Sequence, residues 1–439
     1  MPNRPKRALG VFDATMLVMG GIVGSGIFIN PYVVALHVHT AFLILGVWVA
    51  GGVLAMLGAF IWAELATRLP GAGGQYLYLR EAYHPAVAFV YGWVLLLVTQ
   101  TGGMAAVAVA FAHYYREITG FGSSDAAIAA TALLSLTAIN CFGARAGSNV
   151  QSALMLTKAA AIAAMVVVGL CLGGSRIHMT PLIGEPLSAG LFGSIAAAMT
   201  PVAFAYGGWQ TASFVAGEMR DPRRDLSRGL VLGVLGVIVL YLSVNFVCVK
   251  VLGPQGLAAT RTPASAVMRA ALGERGAQWI AMGIAVSTLG FLSQGILTAP
   301  RVYYAMACDG LFFRSVGRLS KRTGAPVVAI VVQGVVATLT ALLGRYEQIL
   351  NYEVSVDFIN FAMTAAALFI LRRRLTGGPE IYRTPGHPYT TALFVAACAA
   401  VVISTVWHDP GNTAVGMGIL LTGIPVYLYW SRRRRSVTR

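Results

Sequence analysis

Charged residues are scarce in this sequence, because Asp, Glu, Lys and Arg make up only 11% of its 439 residues. An average soluble domain contains about 25%. Between Ala14 and Ala63 there is no Asp, Glu, Lys or Arg at all. A stretch of about 20 uncharged residues crosses a bilayer as a helix, and strands of membrane β-barrels alternate over only about ten residues. The composition therefore excludes an ordinary soluble domain and predicts an all-α polytopic membrane protein.

Cysteines and the common motifs of enzyme active sites are also few. The five cysteines show no CxxC spacing, and no HExxH, Walker A or GxGxxG motif is present. Ser25 stands between two glycines, but an esterase elbow would need glycine in place of Val23 and a histidine base at the same depth. The sequence contains no repeated TVGYG-like loop of the kind that forms a channel filter. We expect no catalytic residue, no metal and no cofactor, and hence not an enzyme.

Twelve apolar segments are predicted to cross the membrane. They lie near residues 12–36, 41–66, 85–115, 126–143, 150–174, 190–217, 228–252, 276–306, 326–344, 348–371, 388–407 and 411–430. Most of the 32 Lys and Arg residues fall on one side of this topology, and the positive-inside rule then places both termini in the cytoplasm. The net charge of +16 therefore indicates contact with the lipid bilayer and not with nucleic acid.

The first apolar segment has helix-breaking residues at its centre. The stretch GGIVGSGIFINP, residues 20–31, places Gly24, Ser25 and Gly26 at mid-membrane. Non-helical backbone is tolerated at that depth only where it lines a cavity or is covered by protein. The freed N–H groups would begin a second half-helix, whose positive dipole end suits a carboxylate. The carbonyl groups around Ile22 would suit an ammonium group.

The sixth segment is interrupted in the same way. Its sequence TPVAFAYGGWQTASFVAGE, residues 200–218, carries Gly207 and Gly208 near the middle. Matching Gly-interrupted segments in two halves of a chain are typical of transporters built on inverted repeats. We therefore expect five regions. They are a basic cytoplasmic arm at 1–11, a first repeat at 12–174, a second repeat at 190–371, two further spans at 388–430 and a basic cytoplasmic tail at 431–439.

Lys158 is a single charge within the fifth apolar segment. An ionisable residue inside the membrane indicates a functional site unless its long side chain reaches the interface. We favour the functional interpretation, because the fifth segment belongs to the same half as the first broken one. A fixed ammonium group would brace the broken helix in place of a sodium ion, and it could also carry a coupled proton.

These features resemble a known transporter family. The motifs GGIVGSGIFINP and FAYGGW, with the lysine in the fifth segment, resemble the amino acid–polyamine–organocation superfamily. FAYGGW followed by EMRDPRR resembles its L-type amino-acid transporter branch, and residues 63–83 and 299–313 resemble loops of these permeases. The resemblance covers the chain from about residue 8 to the end of the tenth segment. It implies a LeuT-type fold of 5+5 inverted repeats with broken helices 1 and 6.

The resemblance also implies roles for individual residues. The substrate carboxylate would bind at the backbone of the Gly24–Gly26 break, on the N–H groups of Ser25 and Gly26. The carbonyl groups of Ile22, Phe204 and Gly207 would accept from the α-ammonium group. The ring of Phe204 would close over the substrate as an outer gate, and Lys158 would hold the broken part of the first segment.

Two acidic residues at the cytoplasmic ends of segments are candidates for an inner gate. Glu64 with Arg68, and Glu218 with the arginines that follow it, would form ion pairs, or they would be solvated charges at the interface. Gln75 and Ser227 depart from the family pattern, and we place both on the cytoplasmic side, away from the substrate. Relatives that pair with a single-span glycoprotein use a cysteine in the loop after the third segment. The corresponding stretch here, ITGFGSSD, has none, so no disulfide-linked heavy subunit is expected.

The sequence therefore predicts a sodium-independent transporter of amino acids in the plasma membrane, working by alternating access as an exchanger or a proton symporter. The side-chain pocket would draw on Gly102, Gly103, Ser287, Ser293 and Asn360. We place Asp357 at the outer interface, so that no acidic residue lies at mid-depth, and we favour neutral amino acids. Two alternatives stay open, an amino-acid sensor and a transporter of cationic amino acids or polyamines.

Overall fold

The computed structural model shows a bundle of α-helices. It describes residues 6–119, 123–174, 180–184, 186, 188–343, 346–375, 378, 380–408 and 410–437. Within these ranges the chain forms no β-strand, and its single β-type contact is a parallel bridge between Leu9 and Met219. Residues 1–5 of the predicted basic arm, 438–439 of the tail and 120–122 of the loop after the third segment lie outside the described residues.

Sixteen α-helices are present in the described part of the chain. In chain order they are α1 (Val11–Ile22), α2 (Gly26–His37), α3 (Ala41–Arg68), α4 (Gln75–Ala82), α5 (Pro85–Val94), α6 (Gln100–Thr119), α7 (Asp125–Cys141), α8 (Ala144–Leu172), α9 (Ala189–Ala205), α10 (Pro222–Ala258), α11 (Pro263–Thr298), α12 (Pro300–Cys308), α13 (Val327–Leu343), α14 (Tyr346–Arg374), α15 (Tyr389–His408) and α16 (Pro410–Val437). A π-helical turn at Leu95–Thr99 joins α5 to α6, and a 3₁₀ segment at Trp209–Glu218 follows α9.

Nine stretches of helix among the described residues are long and apolar enough to cross a membrane, and the bent pair α1 and α2 makes ten. The helices α7 and α13 fall on the predicted fourth and ninth segments, but each has only 17 residues. The chain is thus a multi-pass membrane protein, and the count of twelve spans stays a prediction. The short helix α4 was not predicted, because its eight residues carry both polar and apolar side chains.

Both predicted interruptions are present in the backbone. Helix α1 ends at Ile22 and α2 begins at Gly26, with a bend of 44° between them. Helix α9 ends at Ala205, and the chain continues beyond Gly208 as a 3₁₀ segment. A break of this kind frees backbone N–H and C=O groups, which in a membrane need a partner or a cavity.

Small residues let the helices around the first break approach closely. A Cβ atom added to Gly229 of α10 would lie 2.4 Å from the Cβ of Ala14, and one added to Gly233 would lie 2.6 Å from Val18. In the same way, a Cβ atom on Gly51 of α3 would meet Val202 of α9 at 2.3 Å. Helix interfaces in membranes are rich in such residues, because association there depends on close packing and not on hydrophobic burial. This packing holds α1 and α9 against α10 and α3.

The loop that follows α3 packs against the 3₁₀ segment that follows the second break. Its Gly73 N–H donates to the carbonyl of Phe214 in the 3₁₀ segment at 3.0 Å. Gly74 has a φ of +43°, and a Cβ atom there would lie 2.2 Å from the Ser213 Oγ, so the contact requires glycine. This arrangement starts α4 at Gln75, next to the centre of the bundle.

Candidate substrate site

A cavity of about 380 Å³ lies between the two interrupted helices. Helices α5, α6, α11 and α14 complete its walls together with the π-helical turn. All six residues predicted to contact the substrate line this cavity; they are Ile22, Gly24, Ser25, Gly26, Phe204 and Gly207. The structure therefore brings together residues that are about 180 positions apart in the chain.

The first break presents unpaired N–H groups to the cavity. Ser25 is the N-cap of α2, and its carbonyl accepts from the N–H of Phe28 at 3.1 Å. Within the described residues, the N–H groups of Ser25 and Gly26 donate to no protein atom. Such groups at a helix N-terminus form an anion-binding site, since they combine hydrogen-bond donors with the positive end of the helix dipole.

The two breaks touch one another. A Cβ atom on Gly208 would lie 2.0 Å from the carbonyl oxygen of Gly21, and one on Gly21 would lie 2.7 Å from that of Gly208. Gly208 also has a φ of +105°, in the left-handed region where other residues are strained. Both positions therefore require glycine, and the contact fixes how the two half-helix ends face each other.

Tyr241 of α10 joins the C-terminal ends of α1 and α9, a contact that no sequence pattern indicates. Its hydroxyl lies 3.0 Å from the carbonyl oxygen of Ile22 and 3.2 Å from that of Ala205, and its side chain is fully buried. The carbonyl of Ile22, which we expected to bind the α-ammonium group, thus already faces a protein hydroxyl. A carbonyl oxygen has two lone pairs, so a second donor can still be accepted.

The carbonyl groups of the second break differ in what they already bind. That of Phe204 accepts from the N–H of Gly207 at 2.9 Å. Within the described residues, the carbonyl of Gly207 accepts no hydrogen bond outside regular helix. The ring of Phe204 is 43% exposed, so in this conformation it does not seal the cavity.

Lys158 lies at the first break and not at the interface. Its side chain is fully buried, and its Nζ donates a hydrogen bond to the carbonyl oxygen of Val23, the residue that directly follows α1. A Cβ atom on Gly290 of α11 would lie 3.0 Å from the Lys158 Cε, so that glycine makes room for the side chain. The ammonium group therefore satisfies a backbone carbonyl that the break leaves without a helical partner.

Comparison with known proteins agrees with this architecture. The family profile of amino acid permeases matches residues 9–430. The chain belongs to the amino acid permease family. It is also 31% identical, over 99% of both chains, to the serine/threonine exchanger SteT of Bacillus subtilis (strain 168).

Two human proteins are similar to this permease over most of its length. The large neutral amino acids transporter small subunit 2 is 26% identical over 98% of this chain and 82% of its own. The b(0,+)-type amino acid transporter 1 is 29% identical over 84% of this chain and 76% of its own. All three relatives belong to the amino acid–polyamine–organocation superfamily, so the resemblance that the sequence motifs carried is confirmed. The protein is a membrane transporter and not an enzyme.

The two acidic gate candidates of the permease are buried and ion-paired. Glu64 is fully buried, and its carboxylate contacts Arg68 at 2.8 Å and Arg372 of α14 at 2.6 Å. It also accepts from the backbone N–H of Thr384 at 2.8 Å. The carboxylate therefore connects α3 with α14 and with the loop that follows α14. It is not a solvated charge at the membrane interface.

Glu218 pairs with a residue that we did not predict. Its carboxylate accepts from Nε and Nη2 of Arg301 at 2.7 and 3.0 Å, and both side chains are buried. Of the arginines that follow Glu218 in sequence, Arg223 pairs with Glu380 at 2.8 Å instead. Arg301 lies in α12, so this ion pair joins the end of the 3₁₀ segment to the helix that follows α11.

Two polar residues of the cavity wall were misplaced by the sequence analysis. Asp357 lines the cavity, and so does Gln75, although we expected the first at the outer interface and the second away from the substrate. Of the candidates for the side-chain pocket, Gly103 lines the cavity; Gly102, Ser287, Ser293 and Asn360 are not among its lining residues. The absence of an acidic residue at mid-depth was the reason to favour neutral substrates, and that reason no longer holds. A charge within the apolar run of the tenth segment was the signal that could have identified Asp357.

Proposed function

We propose that this permease is a sodium-independent amino-acid exchanger of the plasma membrane that works by alternating access. The observation that carries the proposal is the cavity at the two helix breaks. One side presents the free N–H groups of Ser25 and Gly26, and the other presents the carbonyl of Gly207. An α-amino acid carries a carboxylate and an ammonium group on one carbon atom, and these two sets of backbone groups match it.

Sodium independence follows from Lys158. In the proposed mechanism its ammonium group fills the place at the first break where a bound cation would otherwise neutralise a free carbonyl. A second cation at that carbonyl would be repelled by the fixed charge. Within the described residues, no group of three or more His, Cys, Asp or Glu side chains offers a metal site.

Inverted repeats of LeuT type are part of the proposal, with both termini in the cytoplasm. The packing of helices at corresponding positions supports such repeats, since α2 contacts α9, α3 contacts α10, α6 contacts α11 and α7 contacts α13. Each of these pairs joins one helix of the first half to its counterpart in the second. A pseudo-two-fold axis in the membrane plane relates the halves in such transporters.

We propose that this conformation is outward-facing. The buried ion pairs Glu64–Arg372 and Glu218–Arg301 would close the cytoplasmic side, as an inner gate does. The ring of Phe204, which lines the cavity and is partly exposed, would close the other side when substrate binds. Exchange is favoured over proton symport because one relative similar over nearly its whole length is named an exchanger. We propose further that the permease works without a disulfide-linked heavy subunit.

The test is uptake into proteoliposomes that contain the purified protein. Labelled neutral and cationic amino acids are supplied outside, with and without unlabelled amino acids inside, while sodium and a proton gradient are varied separately. We expect uptake that requires internal amino acid and is insensitive to both gradients.

Other results would change the proposal in defined ways. Uptake into empty vesicles that a proton gradient accelerates would replace exchange by symport and would make Lys158 the first candidate for the coupled proton. Sodium-dependent uptake would overturn the assigned role of Lys158. Specific binding without any uptake would indicate a sensor, and neither binding nor uptake would overturn the proposal altogether.

A further inference from the structure

The substrate cavity contains a carboxyl group for which the described part of the chain provides no counter-charge. Among the residues that line it, Asp357 is the only Asp, Glu, Lys, Arg or His. Within the described part of the chain, its side chain makes no ion pair and no hydrogen bond. The buried ammonium group of Lys158 is directed to the carbonyl of Val23 instead.

Such a group can bind a partner from outside the protein. An unpaired charge in the membrane interior is costly and usually faces a cavity with a functional role. The groups that bind the α-carbon end of a substrate are backbone atoms at the two breaks, so Asp357 is not needed there. It is available for the other end of the substrate.

Two further buried polar atoms that lack a partner within the described chain belong to residues of the same cavity wall. The Oε1 of Gln75 and the Oγ1 of Thr99 are buried and have no partner within the described residues, and both residues line the cavity. The Nε2 of Gln75 donates to the carbonyl of Asn360 at 3.2 Å, which fixes this side chain against α14 within a turn of Asp357. A buried polar atom without a partner is costly; the Gln75 amide oxygen can only accept, whereas the Thr99 hydroxyl can donate or accept.

Aromatic rings make up much of the remaining wall. Four phenylalanines line the cavity; they are Phe204, Phe291, Phe358 and Phe361. The face of an aromatic ring attracts a cation that approaches it. An unpaired carboxyl group and aromatic rings in one cavity wall suit a cationic group.

We propose that Asp357 binds the cationic end of the substrate side chain, so that this permease selects amino acids with an ammonium or guanidinium side chain, such as lysine, ornithine or arginine. The inference rests on the proposed function, because it assigns the second end of the same substrate. It predicts that a substrate of net positive charge neutralises the cavity on binding.

The first test compares two ligands of the same shape. Lysine and norleucine have the same carbon chain, but only lysine carries a terminal ammonium group. Each is used to compete with uptake of a labelled amino acid by wild-type protein in preloaded proteoliposomes. We expect lysine to inhibit at a concentration at least about tenfold lower than norleucine does, as one hydrogen bond to a charged group would give. Equal inhibition, or stronger inhibition by norleucine, would overturn the inference.

The second test removes the charge and keeps the shape of the side chain. In Asp357→Asn, kcat/KM for lysine should fall about tenfold or more relative to kcat/KM for serine. Glu274→Gln makes the same chemical change at an exposed side chain that is paired with Arg269, and it should alter neither substrate. Asp357→Glu should keep lysine uptake above that of Asp357→Asn. If both variants at this position fail to fold, the comparison of lysine with norleucine still decides.

The outcomes separate this inference from the proposed function. Wild-type uptake of serine without uptake of lysine would leave the transporter standing and overturn the role of Asp357. Equal loss of both substrates in folded Asp357→Asn, together with loss of a dependence on the proton gradient, would identify a proton site and also overturn it. Uptake of no amino acid by the wild type would overturn the proposed function, and this inference with it.

Discussion

At the two helix breaks, the freed backbone groups are satisfied by different kinds of partner. At the first, three residues separate two α-helices, and the charged side chain of Lys158 from α8 supports the free carbonyl of Val23. At the second, the chain resumes as a 3₁₀ segment, and neutral groups close to it in sequence provide support. Gly208 N–H donates to Gln210 Oε1 at 3.0 Å, and Thr211 Oγ1 donates to the Gly208 carbonyl at 2.6 Å.

This difference indicates which substitutions should disturb each break most. One substitution removes the support that a single distant charge gives to the first break. The second break is stabilised by several weak local hydrogen bonds, so the loss of any one of them should matter less. The second break does depend on a charged contact, but that contact lies at the far end of the 3₁₀ segment, where Glu218 meets Arg301. Four substitutions test this asymmetry.

The largest effect on transport is expected at Lys158. Lys158→Ala leaves the Val23 carbonyl without its donor and removes the positive charge from the break, so uptake should fall about a hundredfold or more. The variant should still fold, since a buried charge is costly to keep. Uptake and thermal unfolding in detergent measure the two quantities. Lys250→Ala, at an exposed lysine that also donates to a carbonyl, is the matched control. Normal uptake by Lys158→Ala would refute the assigned role.

The largest effect on stability is expected at the far end of the 3₁₀ segment. Glu218→Gln leaves the buried guanidinium group of Arg301 without its counter-charge, which should lower the free energy of unfolding by about 3–5 kcal/mol. Glu380→Gln removes an exposed partner of Arg223 and should cost about 1 kcal/mol or less. Melting temperatures of the two variants give the comparison, and similar values would show that burial of the pair is unimportant.

A smaller loss of stability is expected where the two breaks touch. Gly208→Ala strains a left-handed backbone position and places a methyl group against the carbonyl of Gly21, which should cost about 2–4 kcal/mol. Uptake should fall together with stability, since the half-helix ends are displaced. Gly46→Ala in α3, where a Cβ atom meets nothing within 4 Å, should be neutral or slightly stabilising. If Gly208→Ala and Gly46→Ala have the same melting temperature, the contact between Gly208 and Gly21 is unimportant for stability.

The smallest effect is expected at the hydroxyl that joins the two breaks. Tyr241→Phe removes the shared donor of Ile22 and Ala205 but keeps the ring, which packs against Trp48 and Tyr206. We expect a loss of about 1–2 kcal/mol and a several-fold decrease in uptake. Tyr389→Phe, at a side chain that is 82% exposed, should leave both quantities unchanged. If Tyr241→Phe changes neither stability nor uptake, the carbonyl groups of Ile22 and Ala205 do not depend on the Tyr241 hydroxyl.

Sequence reasoning succeeded where a feature is local. Glycine pairs in apolar runs located both breaks, and a lysine in an uncharged segment pointed to the side chain that contacts the first break. It failed at Asp357 and Gln75, because apolar composition does not reveal which face of a helix meets lipid and which meets a cavity. It also missed Tyr241 and Arg301, whose partners lie 219 and 83 positions away in the chain.

Local sequence features are enough to identify a helical membrane transporter with two interrupted helices and a charge beside one of them. Hydropathy and the conformational freedom of glycine act over a few residues, so they can be recognised without a partner. Which groups meet depends on the tertiary fold. It places the ammonium group of Lys158 on Val23, brings Gly21 against Gly208, and puts Asp357 in the cavity wall. These choices depend on helix rotation and packing, which a single residue's chemistry does not specify.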